Sequence, residues 1–126
     1  MPEGPEVTIV TEQLNSVVKD GVLVNVELLS GRYTKKEFEG YNKLEYPLLV
    51  KSVKNKGKFI YWQLENNYLF STLGMSGTYK TEKNKYARVL FSLVKETKNI
   101  QHELDIFYCD MRNFGTLKYT SETELK

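Results

Sequence analysis

KFIYWQLENNYLFSTL, residues 58–73, holds two runs of aromatic and β-branched residues parted by Glu65-Asn66-Asn67. Such a pattern reads as two short strands joined by a tight connection. Working outward, VLVNVELL (22–29) and LLVKSVK (48–54) precede it, and YARVLFSLV (86–94), ELDIFYCD (103–110) and GTLKY (115–119) follow it. Polar segments such as KTEKNK (80–85) and KETKN (95–99) separate these seven runs, which predicts an antiparallel sandwich or barrel. Ahead of them, Val7, Val10, Leu14, Val17 and Val18 trace one face of an amphipathic helix that starts near Glu3 and stops before Gly21. The polar TKKEFEGYNKL (34–44) reads as a short helix or loop. The expected fold class is therefore α+β, mainly β: an antiparallel β-sandwich flanked by an N-terminal helix.

With 126 residues, 40% of them apolar and 27% charged, the chain has the make-up of one ordinary globular domain. No apolar run approaches the roughly 18 residues of a membrane span, and no signal-peptide pattern opens the chain, so an intracellular location is expected. A net charge of +2 neither demands nor excludes a nucleic-acid partner. Cys109 has no second cysteine to pair with and, inside IFYC, reads as a buried thiol. With one cysteine and one histidine, His102, the chain cannot supply a four-ligand zinc site, so no metal or cofactor is expected.

Four stretches carry the chemistry. MPEGPEV (1–7) places Pro5 in a helix's first turn, where its missing N–H is not needed, and Glu3 and Glu6 near the positive helix end. Removal of Met1 would make Pro2 a secondary amine with a near-neutral reference pKa of roughly 8, a nucleophile beside an acid. KNKGKFIYW (54–62) clusters Lys54, Lys56 and Lys58 at a strand start, suited to a phosphate or to lowering the pKa of a neighbouring amine. STLGMSG (71–77) sets Met75 between turn glycines, an awkward place for a core residue. DMRNFG (110–115) presents Arg112 and Phe114 from a loop, with Asp110 as the residue that would orient it.

In this order and together, these stretches resemble the formamidopyrimidine-DNA glycosylase / endonuclease VIII family of base-excision repair enzymes. The resemblance implies an N-terminal catalytic domain over residues 1–118, with 119–126 beginning a linker to a helical DNA-binding domain. It implies a bifunctional glycosylase and abasic-site lyase acting on damaged double-stranded DNA as a monomer, wherever in the cell, cytoplasm or nucleus, the DNA lies. Pro2 matches the nucleophile that attacks C1′, displaces the oxidised base and forms a Schiff base, after which the strand is cleaved by β,δ-elimination. Glu3 matches the catalytic acid, and Glu6 an acidic position that orders the amine. Lys58 matches the strand lysine that assists base removal and touches phosphate, with Lys56 beside it as a further DNA contact. Met75, Arg112 and Phe114 match the residues that fill the gap left by the extruded nucleotide.

The departures also carry expectations. Thr72 stands where family members often have a histidine, which removes one phosphate contact. Gly4 is similar to the endonuclease VIII branch and LGMSG and DMRNFG to the formamidopyrimidine branch; the reading favours oxidised pyrimidines. Nothing resembles the family's helical domain or zinc finger, whose structural zinc would lie outside this chain, so a part of a longer protein with weak DNA binding of its own is expected. Two other classes compete. A non-catalytic DNA- or protein-binding β-domain fits the same fold. Small tautomerases use an N-terminal proline as base, but they pass from it directly into a strand, whereas a helical pattern follows here.

Overall fold

The computed structural model describes residues 4–65 and 67–121. Helix α1 spans Gly4–Val18 and buries Val7, Thr11, Leu14 and Val18, one stripe at helical spacing. Thr11 sits in that stripe because its hydroxyl donates to the Val7 carbonyl at 2.8 Å, which satisfies the buried polar group within the helix. The helix ends where Asp20 turns left-handed (φ 68°) and its N–H passes to the Val50 carbonyl at 2.8 Å.

Eight strands follow: β1 Val22–Leu28, β2 Leu48–Lys56, β3 Phe59–Leu64, β4 Asn67–Thr72, β5 Gly77–Lys80, β6 Ala87–Thr97, β7 Ile100–Asp110 and β8 Thr116–Ser121. The short helix α2 (Arg32–Lys35) and a 3₁₀ turn at Tyr41–Lys43 occupy the polar segment between β1 and β2. All strand pairs are antiparallel, in the order β5-β7-β6-β1-β2-β3-β4-β8. Among the described residues the two halves of this order pair as strands at just Val22↔Leu49 and Leu23↔Leu48, so the sheet folds over at β1–β2 and its halves face each other. Trp62 of β3 stacks on Phe91 of β6 across the fold at 4.9 Å, and both are fully buried. Seven of the strands coincide with the runs read from sequence; β5 is the addition, a short polar stretch held by β7. Residues 119–121, read with the linker, continue β8 alongside β4.

Past Val50, β2 has parted from β1 and would leave an open edge. Helix α1 covers it: the Asn15 side-chain oxygen accepts from the Val53 N–H at 2.7 Å, and Asn55 donates to the Thr8 hydroxyl at 3.0 Å. This fixes the start of α1 beside the β2–β3 turn. Cys109 is buried, as expected, and burial raises its thiol above the ordinary value. Among the described residues, no helix is long and apolar enough to cross a membrane.

Trp62 is fully buried between the two halves, so Trp62→Ala is expected to cost about 3–5 kcal/mol of stability. Ile100→Ala, at a 59% exposed hairpin position, should change it by less than about 0.5 kcal/mol. Urea titration of both variants measures the difference.

Candidate functional site

Three loops and the start of α1 converge at one end of the sandwich. The β2–β3 connection is a two-residue turn, Gly57-Lys58, closed by the pair Lys56↔Phe59. Gly57 has φ +59°, which glycine adopts without penalty. Asn55 donates from one amide nitrogen both to the Gly57 carbonyl and to the Thr8 hydroxyl, each at 3.0 Å. The turn that carries Lys58 is thereby tied to the second turn of the helix.

Between β4 and β5, Leu73–Ser76 forms a tight loop in which the Gly77 N–H donates to the Leu73 carbonyl at 2.6 Å. Between β7 and β8 lies the loop Met111–Gly115. Asp110, fully buried at the end of β7, joins the two loops. One of its oxygens accepts the Ser76 hydroxyl at 2.7 Å, and the other accepts the Gly115 N–H at 2.8 Å. The same Ser76 oxygen accepts the Arg112 N–H at 3.0 Å. Each loop thus holds the other through a single carboxylate, a form of charge-assisted bonding stronger than neutral pairs.

The glycines make this approach possible. A side chain at Gly74, where φ is +59°, would meet the Gly115 nitrogen at 2.6 Å and the Phe114 carbonyl carbon at 2.7 Å. At Gly115, an added carbon would lie 1.8 Å from the Tyr108 hydroxyl. Further bonds brace the pair from behind. Tyr108 donates to the Thr72 carbonyl at 2.6 Å, and Tyr33 and Arg32 donate to the Gly115 carbonyl, the former at 3.0 Å. Arg88 donates to the carbonyls of Asp110 at 2.9 Å and Met111 at 3.3 Å. Burial pushes the Tyr108 phenol well above its usual range and raises that of Tyr33.

What the loops present outward is apolar and cationic. Met75 is 49% exposed and Phe114 is 60% exposed, although large apolar side chains are ordinarily buried. Arg112 is exposed as well. Val7, Lys58, Phe59, Thr72, Gly74 and Phe114 line one cavity of about 320 Å³, so all four stretches singled out in the sequence, or their neighbours, meet there. Glu6 lies exposed on the first turn of α1, one residue from Val7. Lys56 opens onto the adjoining sheet face. Pro2 and Glu3 lie outside the described residues. Thr72 does not offer a free hydroxyl in place of a histidine: its oxygen is 2.8 Å from that of Thr116 and accepts the Thr116 N–H at 3.0 Å. Among the described residues, no three His, Cys, Asp or Glu side chains gather to hold a metal. Asn55, Ser76 and Arg88 were not marked by the sequence reading. Ser76 lies in STLGMSG and Asn55 in KNKGKFIYW, but only the fold brings their partners to them.

Comparison with known proteins places the chain in context. Residues 1–117 match the family model described as formamidopyrimidine-DNA glycosylase N-terminal domain. Formamidopyrimidine-DNA glycosylase of Shouchella clausii is 29% identical over 93% of this chain and 42% of its own length. The Exiguobacterium protein of the same name is 30% identical over 98% of this chain and 45% of its own. The chain thus spans a little under half the length of these curated relatives. Among solved structures, MutM in complex with DNA containing carbocyclic 8-oxo-G superposes with a TM-score of 0.79 at 22% identity, over 98% of this chain and 46% of that one. The Lactococcus lactis FPG mutant G226P, in complex with DNA containing Fapy-dG, gives 0.78 at 20%, over 98% and 45%. At these identities the shared property is the fold.

The backbone contacts at Gly115 and Gly57 set different costs. Gly115→Ala must displace Tyr108 and is expected to lose about 1–3 kcal/mol or more. Gly57→Ala meets nothing within 4 Å and should lose only about 1–2 kcal/mol, from its left-handed φ. Chemical denaturation curves of the two variants check the order.

Proposed function

This chain belongs to the formamidopyrimidine-DNA glycosylase N-terminal domain family, and from that membership we propose that it supplies the catalytic half of an oxidised-base DNA glycosylase with abasic-site lyase activity. The observation that carries the reading is the meeting of the helix start, the Lys58 turn and the Gly74 and Phe114 loops around one cavity of about 320 Å³.

In this reading the unblocked Pro2 amine attacks C1′ of the extruded nucleotide, the glycosidic bond breaks, and the base leaves with the bonding electrons. Glu3 hands a proton to the opening sugar, Glu6 helps order the amine, and Lys58 supports base departure and a phosphate. The resulting Schiff base permits loss of the 3′ and then the 5′ phosphate by β,δ-elimination. Lys56 adds a phosphate contact. Met75, Arg112 and Phe114 enter the gap, offsetting the few kcal/mol of stacking lost on extrusion. Their exposure on mutually braced loops supports that role, because a wedge must be both solvent-facing and rigid. Gly4 favours an oxidised pyrimidine as the base removed. The neighbouring solved complexes hold damaged purines, so a strand with an oxidised purine is the comparison substrate.

A second reading, a non-catalytic DNA- or protein-binding β-domain, draws on the exposed apolar and cationic side chains Met75, Arg112 and Phe114, which a binding surface alone would also use. Borohydride reduction of the chain mixed with an abasic-site oligonucleotide separates them. The glycosylase reading expects a covalent adduct mapping to Pro2 when Met1 is removed, and none when Met1 is kept. Adduct formation unaffected by a retained Met1 would refute the amine's role, and binding without any adduct would favour the passive domain. Lys58→Ala is expected to slow removal of an oxidised base at least about tenfold, and cleavage at a ready-made abasic site by less. Equal losses in gel assays of the two substrates would contradict the role given to Lys58.

A further inference from the structure

The outer face of β2-β3-β4-β8 is unlike an ordinary solvated sheet surface. Cross-strand partners lie on the same side of a sheet, and the register sets Lys54, Tyr61, Phe70 and Lys118 in one row. The rings form a continuous patch: Tyr61 and Tyr68 are 6.3 Å apart, and Tyr68 and Phe70 are 6.0 Å apart with planes only 16° from parallel. Phe59, beside them on β3, is 62% exposed. Together with Lys56 and Lys118 these rings line a groove of about 870 Å³ whose walls carry no carboxylate. Lys118 is ion-paired with Glu39 at 3.0 Å, at an exposed position where such a pair is weak and exchangeable. Phe59 and Thr72 also line the cavity of the candidate site, so groove and cavity are continuous.

We propose that this face is a track for single-stranded DNA leaving the candidate site, with bases stacked on Phe59, Tyr61, Tyr68 and Phe70 and phosphates against Lys54, Lys56 and Lys118. Aromatic platforms flanked by lysines suit single strands, since each base has a free π-face and each phosphate a charge to neutralise. A duplex hides its base faces in its own stack and cannot use the rings. A protein partner would be matched by acidic residues or an aliphatic surface, and the lysines at both ends of the row suit a polyanion better. The inference names the strand that the proposed glycosylase handles. The binding itself makes no use of the terminal amine.

Fluorescence anisotropy with a labelled 12-mer of deoxythymidine, and with a 12-base-pair duplex, tests it. The single strand is expected to bind with log K falling with log salt at a slope of about −2 for three lysines, and loss of a ring should weaken single-strand binding more than duplex binding. Tyr61→Ala and Phe70→Ala should each weaken binding about 5- to 150-fold, Tyr61→Phe should retain it, and reversal of exposed charge in Lys54→Glu with Lys56→Glu should abolish it. Circular dichroism verifies that each variant is folded. A chain that keeps Met1 should bind the 12-mer unchanged, so failure of the amine chemistry and failure of this face are separately visible. Unaltered single-strand affinity in folded Tyr61→Ala, Phe70→Ala and the charge-reversed variant would overturn the proposal. So would a concentration-dependent dimer that the same aromatic substitutions dissolve, because it would make the face a contact between copies.

Discussion

The carboxylate of Asp110 is the point on which the site's geometry turns. A buried charge is costly unless its oxygens are satisfied, and both oxygens of Asp110 are, by Ser76 from one loop and Gly115 from the other. The bonds are worth more as a set than singly, because Ser76 passes the constraint on to Arg112 through its own oxygen. Two loops that would separately be mobile tips become one rigid surface bearing Met75, Arg112 and Phe114. The glycines at 74 and 115 permit this by removing the side chains that would hold the loops apart.

A second linkage, weaker but of the same kind, brings the helix to that surface. Asn55 bonds the β2–β3 turn and Thr8 at once, and Asn15 closes the open edge of β2. The helix is therefore held against β2 at Thr8 and Asn15 by strand geometry. The sandwich serves the site in this sense: its fold-over at β1–β2 opens an edge, and the helix that fills the edge brings Val7 to the cavity beside the Lys58 turn.

Most of the fold was legible in the sequence because its signals are local. Strand runs, turn-forming ENN and KETKN, and the stripe from Val7 to Val18 each depend on neighbours a few residues away. β5 was not legible: GTYK is short and begins with glycine, and it becomes a strand only through pairing with β7, some thirty residues on. Thr11 was missed from the buried stripe because its hydroxyl is hidden in a backbone bond that composition does not reveal. At the site, the glycines and the misplaced apolar residues Met75 and Phe114 stood out as sequence anomalies, and Asp110 was expected to orient the arginine loop. The partners were invisible. Ser76 meets Asp110 across 34 positions and Asn55 meets Thr8 across 47, and no spacing rule reaches that far.

Amide hydrogen exchange at Gly115 and Arg112 tests the coupling of the two loops most directly. In the parent chain both amides are expected to be protected, one by the Asp110 carboxylate and the other by the Ser76 hydroxyl. Asparagine at position 110 offers an acceptor oxygen on one side only, so Asp110→Asn should speed exchange at one or both amides about 10- to 100-fold, the equivalent of one unsatisfied buried group. Exchange at unprotected rates in the parent chain, or rates unmoved by the substitution, would contradict the claim that this carboxylate binds the loops into one surface.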